Sequence, residues 1–336
     1  MIQEPFVSVV TPVYNGEHFL AECIESVLAQ DYSNWEYIVV NNCSTDGSLA
    51  LAEEFARRDP RIRVVTNKTF VNALENHNNA FRQISTLSEY CKVVSADDRL
   101  APQALGKLVR FAVQNPTVGI VGSRQQSKEK IKWQGIPENV TVMSGRDACR
   151  LGLLQGIHVF GNPTSVLYRS DLIRRTESFF PHSEPHADTS ACYAYLGDCE
   201  FGFVHEVLSM ERVHEGQVSS RVRLLGADYS AYLEILIQYG PRYLSESELA
   251  ARREELLTEY YQMLGSGVLK IKGRDFWEFH QHKLNSLGLR LDKRRVIVEA
   301  VRELTVEVRN PMTALRKFKS ALAQRKGSRF VKTAVK

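Results

Sequence analysis

The chain has 336 residues, 43% hydrophobic and 24% charged, an ordinary composition for a globular protein of one large domain or two modest ones. No apolar run approaches the roughly 20 residues that span a bilayer, and Met1–Pro5 carries neither a basic stretch nor a cleavable apolar segment, so no secretory signal is expected. The net charge of +4 is unevenly placed: nine Lys and Arg and no acid lie from Arg309 onward, leaving 34 basic against 39 acidic residues, a net −5, over residues 1–308. That acidic body, with no interleaving of aromatic and basic residues, argues against a nucleic-acid-binding module.

The first 125 residues alternate strand and helix patterns. Val7–Val10 reads as a strand, and Glu17–Gln30 as an amphipathic helix with Phe19, Leu20, Cys23, Ile24, Val27 and Leu28 on one face. Tyr37–Val40 is a second strand. Ser44-Thr45-Asp46-Gly47 forms a turn into a helix carrying Leu49, Leu51, Ala52 and Phe55. Ile62–Val65 is a third strand, Leu74–Leu87 a helix, and Cys91–Val94 a fourth strand. Pro102 opens a helix to about Gln114, and Val118–Val121 is a short fifth strand. Short apolar strands alternating with helices argue for an α/β, Rossmann-like, mostly parallel sheet with helices on both faces.

Residues 126–220 are less regular, with a Gly161-Asn162-Pro163 stretch, a loop holding His182, His186 and Asp188, and a polar run from Glu211 to Ser220. From Leu224 onward helical patterns dominate, and Ser245–Glu248 reads as a capping box. Trp35, Trp277 and the Tyr260–Tyr261 pair read as packing residues. The six cysteines show no CxxC pair and no zinc spacing with histidine, which suits reduced thiols in a cytosolic protein. Neither a Gly-x-Gly-x-x-Gly fingerprint nor a Walker loop follows any strand, against a dehydrogenase and a P-loop enzyme.

Polar clusters fall where strand-end loops belong. They are Thr11-Pro12-Val13-Tyr14-Asn15, Asn41-Asn42-Cys43-Ser44-Thr45-Asp46, Asn76–Asn79, and Asp97-Asp98 after an apolar run. Polar residues at several adjacent strand ends line one cleft in open α/β sheets. Two neighbouring carboxylates at such an end are costly unless a cation neutralises them, and a hard divalent cation carrying a phosphate-bearing substrate would do so. A surface Asp-Asp turn is the other reading of that pair alone.

The ordered set of Thr-Pro-Val-Tyr-Asn, a Ser26-x-x-x-Gln30 helix end, Asn-Asn-Cys-Ser-Thr-Asp and Ala-Asp-Asp resembles the family 2 glycosyltransferases. The resemblance is strong over residues 7–125 and looser over 160–220. It implies a GT-A fold at 1–223, with a donor half at 1–125 and an acceptor half at 126–223. A helical C-terminal region with a basic amphipathic tail follows at 224–336. It also implies an inverting, metal-dependent transfer of a sugar from a nucleotide-diphosphate sugar, UDP or dTDP first, to a glycan or lipid-linked acceptor in cell-surface polysaccharide synthesis. By position, Thr11, Pro12, Tyr14, Asn42, Asp46 and Asp97 would hold the nucleotide. Tyr14 would pack on the base, Asn42 would read a pyrimidine, and Asp97 would meet the ribose. Asp98 would ligate Mg²⁺ or Mn²⁺ bridging the diphosphate.

Asp188 matches the carboxylate that deprotonates the acceptor hydroxyl, with its neighbours Glu184, His182 and His186 as alternatives, and it would equally serve as a helix N-cap. Arg212 and His214 match the segment that closes near the diphosphate, or else belong to a solvated loop. The chain departs from the family's Asp-Asp-Gly-Ser-Thr-Asp at Asn41, Asn42 and Cys43, and Ser95 stands where a further Asp is common. Those departures keep open a non-catalytic sugar-nucleotide-binding protein. A nucleotidyltransferase would need a Gly-rich loop after the first strand, which is absent. In the tail, Met312, Leu315, Phe318 and Leu322 lie at helical spacing among basic residues. Residues 310–336 therefore read either as an anionic-membrane contact at the inner face of the cell membrane or as a helix packed on its own domain.

Overall fold

The computed structural model describes residues 4–132, 135–156, 159–181, 185–214, 222 and 224–309. It divides into two compact units, Met1–Gln217 with Arg242–Leu244, and Val218–Pro241 with Ser245–Lys336. The tail at 310–336, His182, Glu184 and the Gln217–Ser219 segment lie outside the described residues.

The first unit is built on one sheet. β1 (Val7–Val13) lies between β2 (Trp35–Asn41) and β4 (Tyr90–Val93), and β3 (Ile62–Thr66) flanks β2, all parallel. Every residue of β1 is buried, as strands covered on both faces require. β4 then pairs antiparallel with β9 (Val166–Arg169), and β9 antiparallel with β6 (Val118–Ser127). β6 runs parallel to β10 (Glu200–Glu211), whose far edge takes the short β5 (Arg99–Leu100) antiparallel. Two further short strands, β7 (Lys130–Lys132) and β8 (Val142–Ser144), pair with β6 and β10. Register aligns Val13 with Asn41 and Asn41 with Thr66, so the loops after β1, β2 and β3 leave the sheet at one edge.

Helices α1 (Glu17–Leu28), α2 (Ser48–Arg58), α3 (Ala73–Phe81) and α4 (Ala104–Gln114) connect these strands. α1 buries Leu20, Cys23, Ile24 and Val27 as its spacing predicts. It stops at Leu28, short of Gln30, whose side chain instead fastens the chain. Its Nε2 donates to Ser26 O and Ala101 O, each at 2.8 Å, and its Oε1 accepts from Leu105 N at 2.9 Å.

Two other expectations change. The helix expected to reach Leu87 ends at Phe81, because the Ser85 N–H is taken by Glu36 Oε1 on β2 at 2.7 Å rather than by a helical carbonyl. The strand expected at Val118–Val121 continues to Ser127, since β10 supplies ladder partners along its polar half. Beyond it lie α5 (Gly145–Gln155), a 3₁₀ turn at Pro163–Ser165, α6 (Ser170–Ile173) and α7 (Ala187–Tyr195).

The second unit is helical, holding most of α8 (Ala227–Tyr243) and then α9 (Glu246–Leu269), α10 (Arg274–Ser286) and α11 (Lys293–Arg309). The Ser245–Glu248 capping box is present. Tyr260 and Tyr261 are buried, as packing residues should be. A Cβ at Gly265 would lie 2.7 Å from Ala300 N, so glycine lets α9 and α11 approach closely. The His280 ring is buried, Nδ1 at 2.8 Å from Tyr260 Oη and Nε2 at 2.8 Å from Leu225 O. α11 leaves Ile297, Val298, Val301 and Leu304 exposed. Among the described residues, no helix is long and apolar enough to cross a membrane.

Candidate active site

Thr11 lies fully buried below the strand ends. Its hydroxyl is 2.8 Å from both Val94 O and Tyr37 Oη, tying β1 to the neighbouring segments. The side chain braces the cleft floor instead of presenting a hydroxyl to a ligand. Cys23 belongs to the same cluster, and burial pushes its thiol up to about 12.

The two loops above hold each other. Asn15 and Cys43 both adopt left-handed φ, +50° and +56°, and Cys43 occupies the place where the family pattern has glycine. Asn15 Oδ1 accepts from Thr45 N at 2.8 Å. Asp46 Oδ1 accepts from Ser48 N at 3.0 Å, and its Oδ2 accepts from Glu17 N at 3.1 Å. Burial opposes ionisation of Asp46, but these donors together outweigh it and hold the carboxyl below its ordinary value. Glu17 Oε2 in return accepts from Gly47 N at 2.9 Å. Asp46 thus joins the starts of α1 and α2, a structural task for a residue read as a nucleotide contact.

Asn42 is similarly committed. Its Nδ2 donates to Val71 O at 2.7 Å, while its Oδ1 accepts from Val71 N at 3.0 Å and Asn67 Nδ2 at 2.9 Å. The amide expected to read a pyrimidine is buried and pins the segment after β3. That segment carries Phe70, which no motif in the sequence singles out. Phe70 and Tyr14 are both exposed, their ring centroids 4.8 Å apart at 58°. Pro12 is buried in β1.

The carboxylate pair follows β4. Asp98 is buried, and its Oδ2 accepts from the Thr164 hydroxyl at 2.6 Å and Gln125 Nε2 at 3.5 Å, while Oδ1 accepts from Arg212 N at 3.3 Å. Burial, then the adjacent Asp97 charge, pushes its carboxyl up to about 7. Asp97 is partly exposed, with His214 Nε2 3.1 Å from its Oδ2. Arg212 Nε donates to Asp97 O at 3.3 Å and its Nη2 to Glu22 Oε2 at 2.7 Å, and the guanidinium lies 4.9 Å from the Phe19 ring centroid. The Arg212 hydrogen bond holds the Glu22 carboxyl below its ordinary value. Arg212 and His214 are therefore gathered on the pair. Thr164 and Gln125 escaped selection because one lies in the irregular Pro163–Ser165 turn and the other in the unforeseen half of β6.

The donor set fits a hard divalent cation. Such ions are held by one or two carboxylates plus substrate phosphates, and a carboxyl driven upward by a neighbouring charge is relieved by a cation. Among the described residues no group of three or more His, Cys, Asp and Glu is arranged to hold a metal by protein ligands alone.

Asp188 lies in the first turn of α7, but the N-cap is His186, at φ +74°, so the expected capping role is corrected. Its side chain has no hydrogen-bond or ion-pair partner among the described residues. Its charge is among the influences that raise the buried Tyr168 hydroxyl and Cys192 thiol, after burial itself.

The family model described as glycosyl transferase family 2 matches residues 8–176, half of the chain. The chain is 36% identical over 120 residues to the putative glycosyltransferase EpsE of Bacillus subtilis, 35% of this chain and 42% of that protein. It is 34% identical over 233 residues to an uncharacterized glycosyltransferase of Haemophilus influenzae, 64% of this chain and 68% of that protein. The chain thus spans well under half of EpsE and about two thirds of the Haemophilus relative. It is similar in fold to S. aureus TarS 1–349 in complex with UDP-GlcNAc, with TM-score 0.60 and 19% identity over 84% of this chain and 80% of that one. A second likeness is to the mannosyltransferase PcManGT of Pyrobaculum calidifontis in complex with GDP-Man and Mn²⁺, with TM-score 0.54 and 16% identity over 96% and 86% of the chains. The fold is of the GT-A type, as the sequence led us to expect. The chain belongs to glycosyl transferase family 2.

Proposed function

We propose that this chain is an inverting glycosyltransferase that moves a sugar from a nucleotide-diphosphate sugar to an acceptor hydroxyl. The observation that carries the reading is the Asp97–Asp98 pair at the strand ends, with Arg212 and His214 drawn onto it. Asp98 holds Mg²⁺ or Mn²⁺, and Asp97 meets the ribose. The cation supplies charge neutralisation for the departing nucleoside diphosphate. Arg212 adds a second positive group beside that diphosphate. Tyr14 and Phe70 offer aromatic surface to the base, and Asn42 and Asp46 hold the loops that shape its pocket. UDP and dTDP are the leading donors.

Asp188 is the general base. The bond from the sugar's anomeric carbon to the diphosphate breaks, the bond to the acceptor oxygen forms, and the acceptor proton passes to the carboxylate. A half-buried carboxylate with no hydrogen-bond or ion-pair partner among the described residues suits that task. Residues 1–125 form the donor half and 126–223 the acceptor half. The acceptor class, a glycan or lipid-linked chain of the cell surface, rests on the family resemblance. Contact with an anionic membrane through 310–336 rests on the eight basic residues and the absence of acids there.

Calorimetric titration of UDP, dTDP and GDP, each with and without Mn²⁺, tests the donor site in the wild type and in Asp98→Ala. Binding of one nucleotide that Mn²⁺ strengthens, with the strengthening lost in Asp98→Ala, is the expected result. Failure of all three to bind to the folded protein would overturn the reading.

A further inference from the structure

Lys92 stands on β4 with its entire side chain buried. A buried ammonium is expensive unless its donors are satisfied, and an apolar side chain would pack there at less cost. Its Nζ donates to two carbonyl oxygens, Thr164 O and Val166 O, the second at 3.0 Å. Among the described residues it makes no ion pair. The two carbonyls bracket the end of the Pro163–Ser165 turn, where the chain enters β9.

Thr164 faces two ways. Its carbonyl accepts from Lys92, while its hydroxyl donates to Asp98 Oδ2 at 2.6 Å and accepts from Ser95 N at 3.1 Å. Ammonium, turn and carboxylate are joined through one residue. A second anchor acts on the same turn, where Asn162 Nδ2 donates to Gln125 Oε1 at 2.9 Å and Gln125 Nε2 reaches Asp98.

We propose that Lys92 is a positioning residue for the cation-binding carboxylate, fixing the Thr164 turn from below so that the Thr164 hydroxyl holds Asp98 in the orientation that receives a divalent cation. This deepens the proposed function and rests on its assignment of Asp98. Residues that orient a metal ligand typically contribute a factor of about 10–100 in metal affinity. A purely structural lysine would change stability and leave that affinity alone.

The test is calorimetric titration of Mn²⁺ into the protein saturated with UDP, alongside a metal-free UDP titration and a thermal melt. Lys92→Met is expected to weaken Mn²⁺ binding about 10- to 100-fold, with metal-free UDP binding unchanged. Thr164→Val, which keeps the carbonyl that Lys92 holds, should weaken Mn²⁺ binding in the same way, and Thr164→Ser should restore it. A folded Lys92→Met with wild-type Mn²⁺ affinity overturns the proposal. If Lys92→Met fails to fold, normal Mn²⁺ binding by Thr164→Val overturns it instead. Absence of Mn²⁺ binding in the wild type would remove the assignment of Asp98, and with it this role, and that failure shows before any variant is made.

Discussion

Tyr14 and Phe70 meet with their rings tilted at the rim of the cleft, 4.8 Å between ring centroids, although one follows β1 and the other β3. Exposed aromatic rings cost free energy in water and suit a flat ligand. Stacking of a base on such a ring contributes about 1–3 kcal/mol. Phe70→Ala should therefore weaken nucleotide binding by about that amount, with no change in its dependence on Mn²⁺. Calorimetry with UDP checks this, and unchanged affinity would remove Phe70 from the base pocket.

Asn42 donates to Val71 O and accepts from Val71 N, so a carboxylate in its place would face a carbonyl oxygen now 2.7 Å from its nitrogen. Asn42→Asp, the acid usual in the family pattern, should destabilise the protein by about 1–3 kcal/mol through the lost donor and the opposed oxygens. A denaturant melt above pH 6 measures it. An unchanged or raised midpoint would mean that the amide is free to turn toward a ligand.

Asp188→Asn keeps the shape of the side chain and removes its capacity to take a proton. Turnover should fall by about 10²–10⁴-fold, the usual contribution of a general base, while nucleotide binding and the melting temperature stay near wild type. Full turnover in the variant would move the base elsewhere, and a wild type that binds but never turns over would favour a non-catalytic binder.

His280 is buried in the helical unit, and burial lowers its pKa to about 4 from 6.5. The folded protein therefore holds fewer protons on this ring than the unfolded chain between those values. Stability is present in full above pH 6.5 and is lost as pH falls toward 4, by up to about 3 kcal/mol. His280→Gln, which cannot titrate, should flatten the thermal-melting profile between pH 6.5 and 4. An unaltered slope would place the acid sensitivity in other groups.

The core of the sheet was legible because Val7–Val10 and Tyr37–Val40 are unbroken apolar runs, the pattern of strands buried on both faces. Asp97 and Asp98 drew notice because they follow an apolar run, and it was the ordered set of motifs around them, more than the pair itself, that weighed against a surface turn. The local hydrogen bonds of Asn42 and Asp46 were not legible, for a physical reason. Their side chains serve equally well for ligands and for nearby backbone N–H groups, and only three-dimensional placement shows which partner is taken. The polar half of β6 was illegible because its strand character comes from β10, far along the chain. Lys92 drew no notice, since a lone lysine in an apolar run looks like an edge residue until its burial is seen.

The reciprocal contacts between Glu17 and Asp46 bear on how this fold handles anions. A helix start is the natural receptor for a phosphate, through its unpaired N–H groups and positive dipole end. Here carboxylates of the chain itself already fill the starts of α1 and α2. A diphosphate arriving at this edge finds those receptors occupied and must look to Arg212 and to whatever charge the Asp97–Asp98 pair can recruit. On the proposed function, the absence of a glycine-rich phosphate loop reflects a division of labour, in which the helix ends stiffen the cleft and the diphosphate is left to a cation at the Asp97–Asp98 pair.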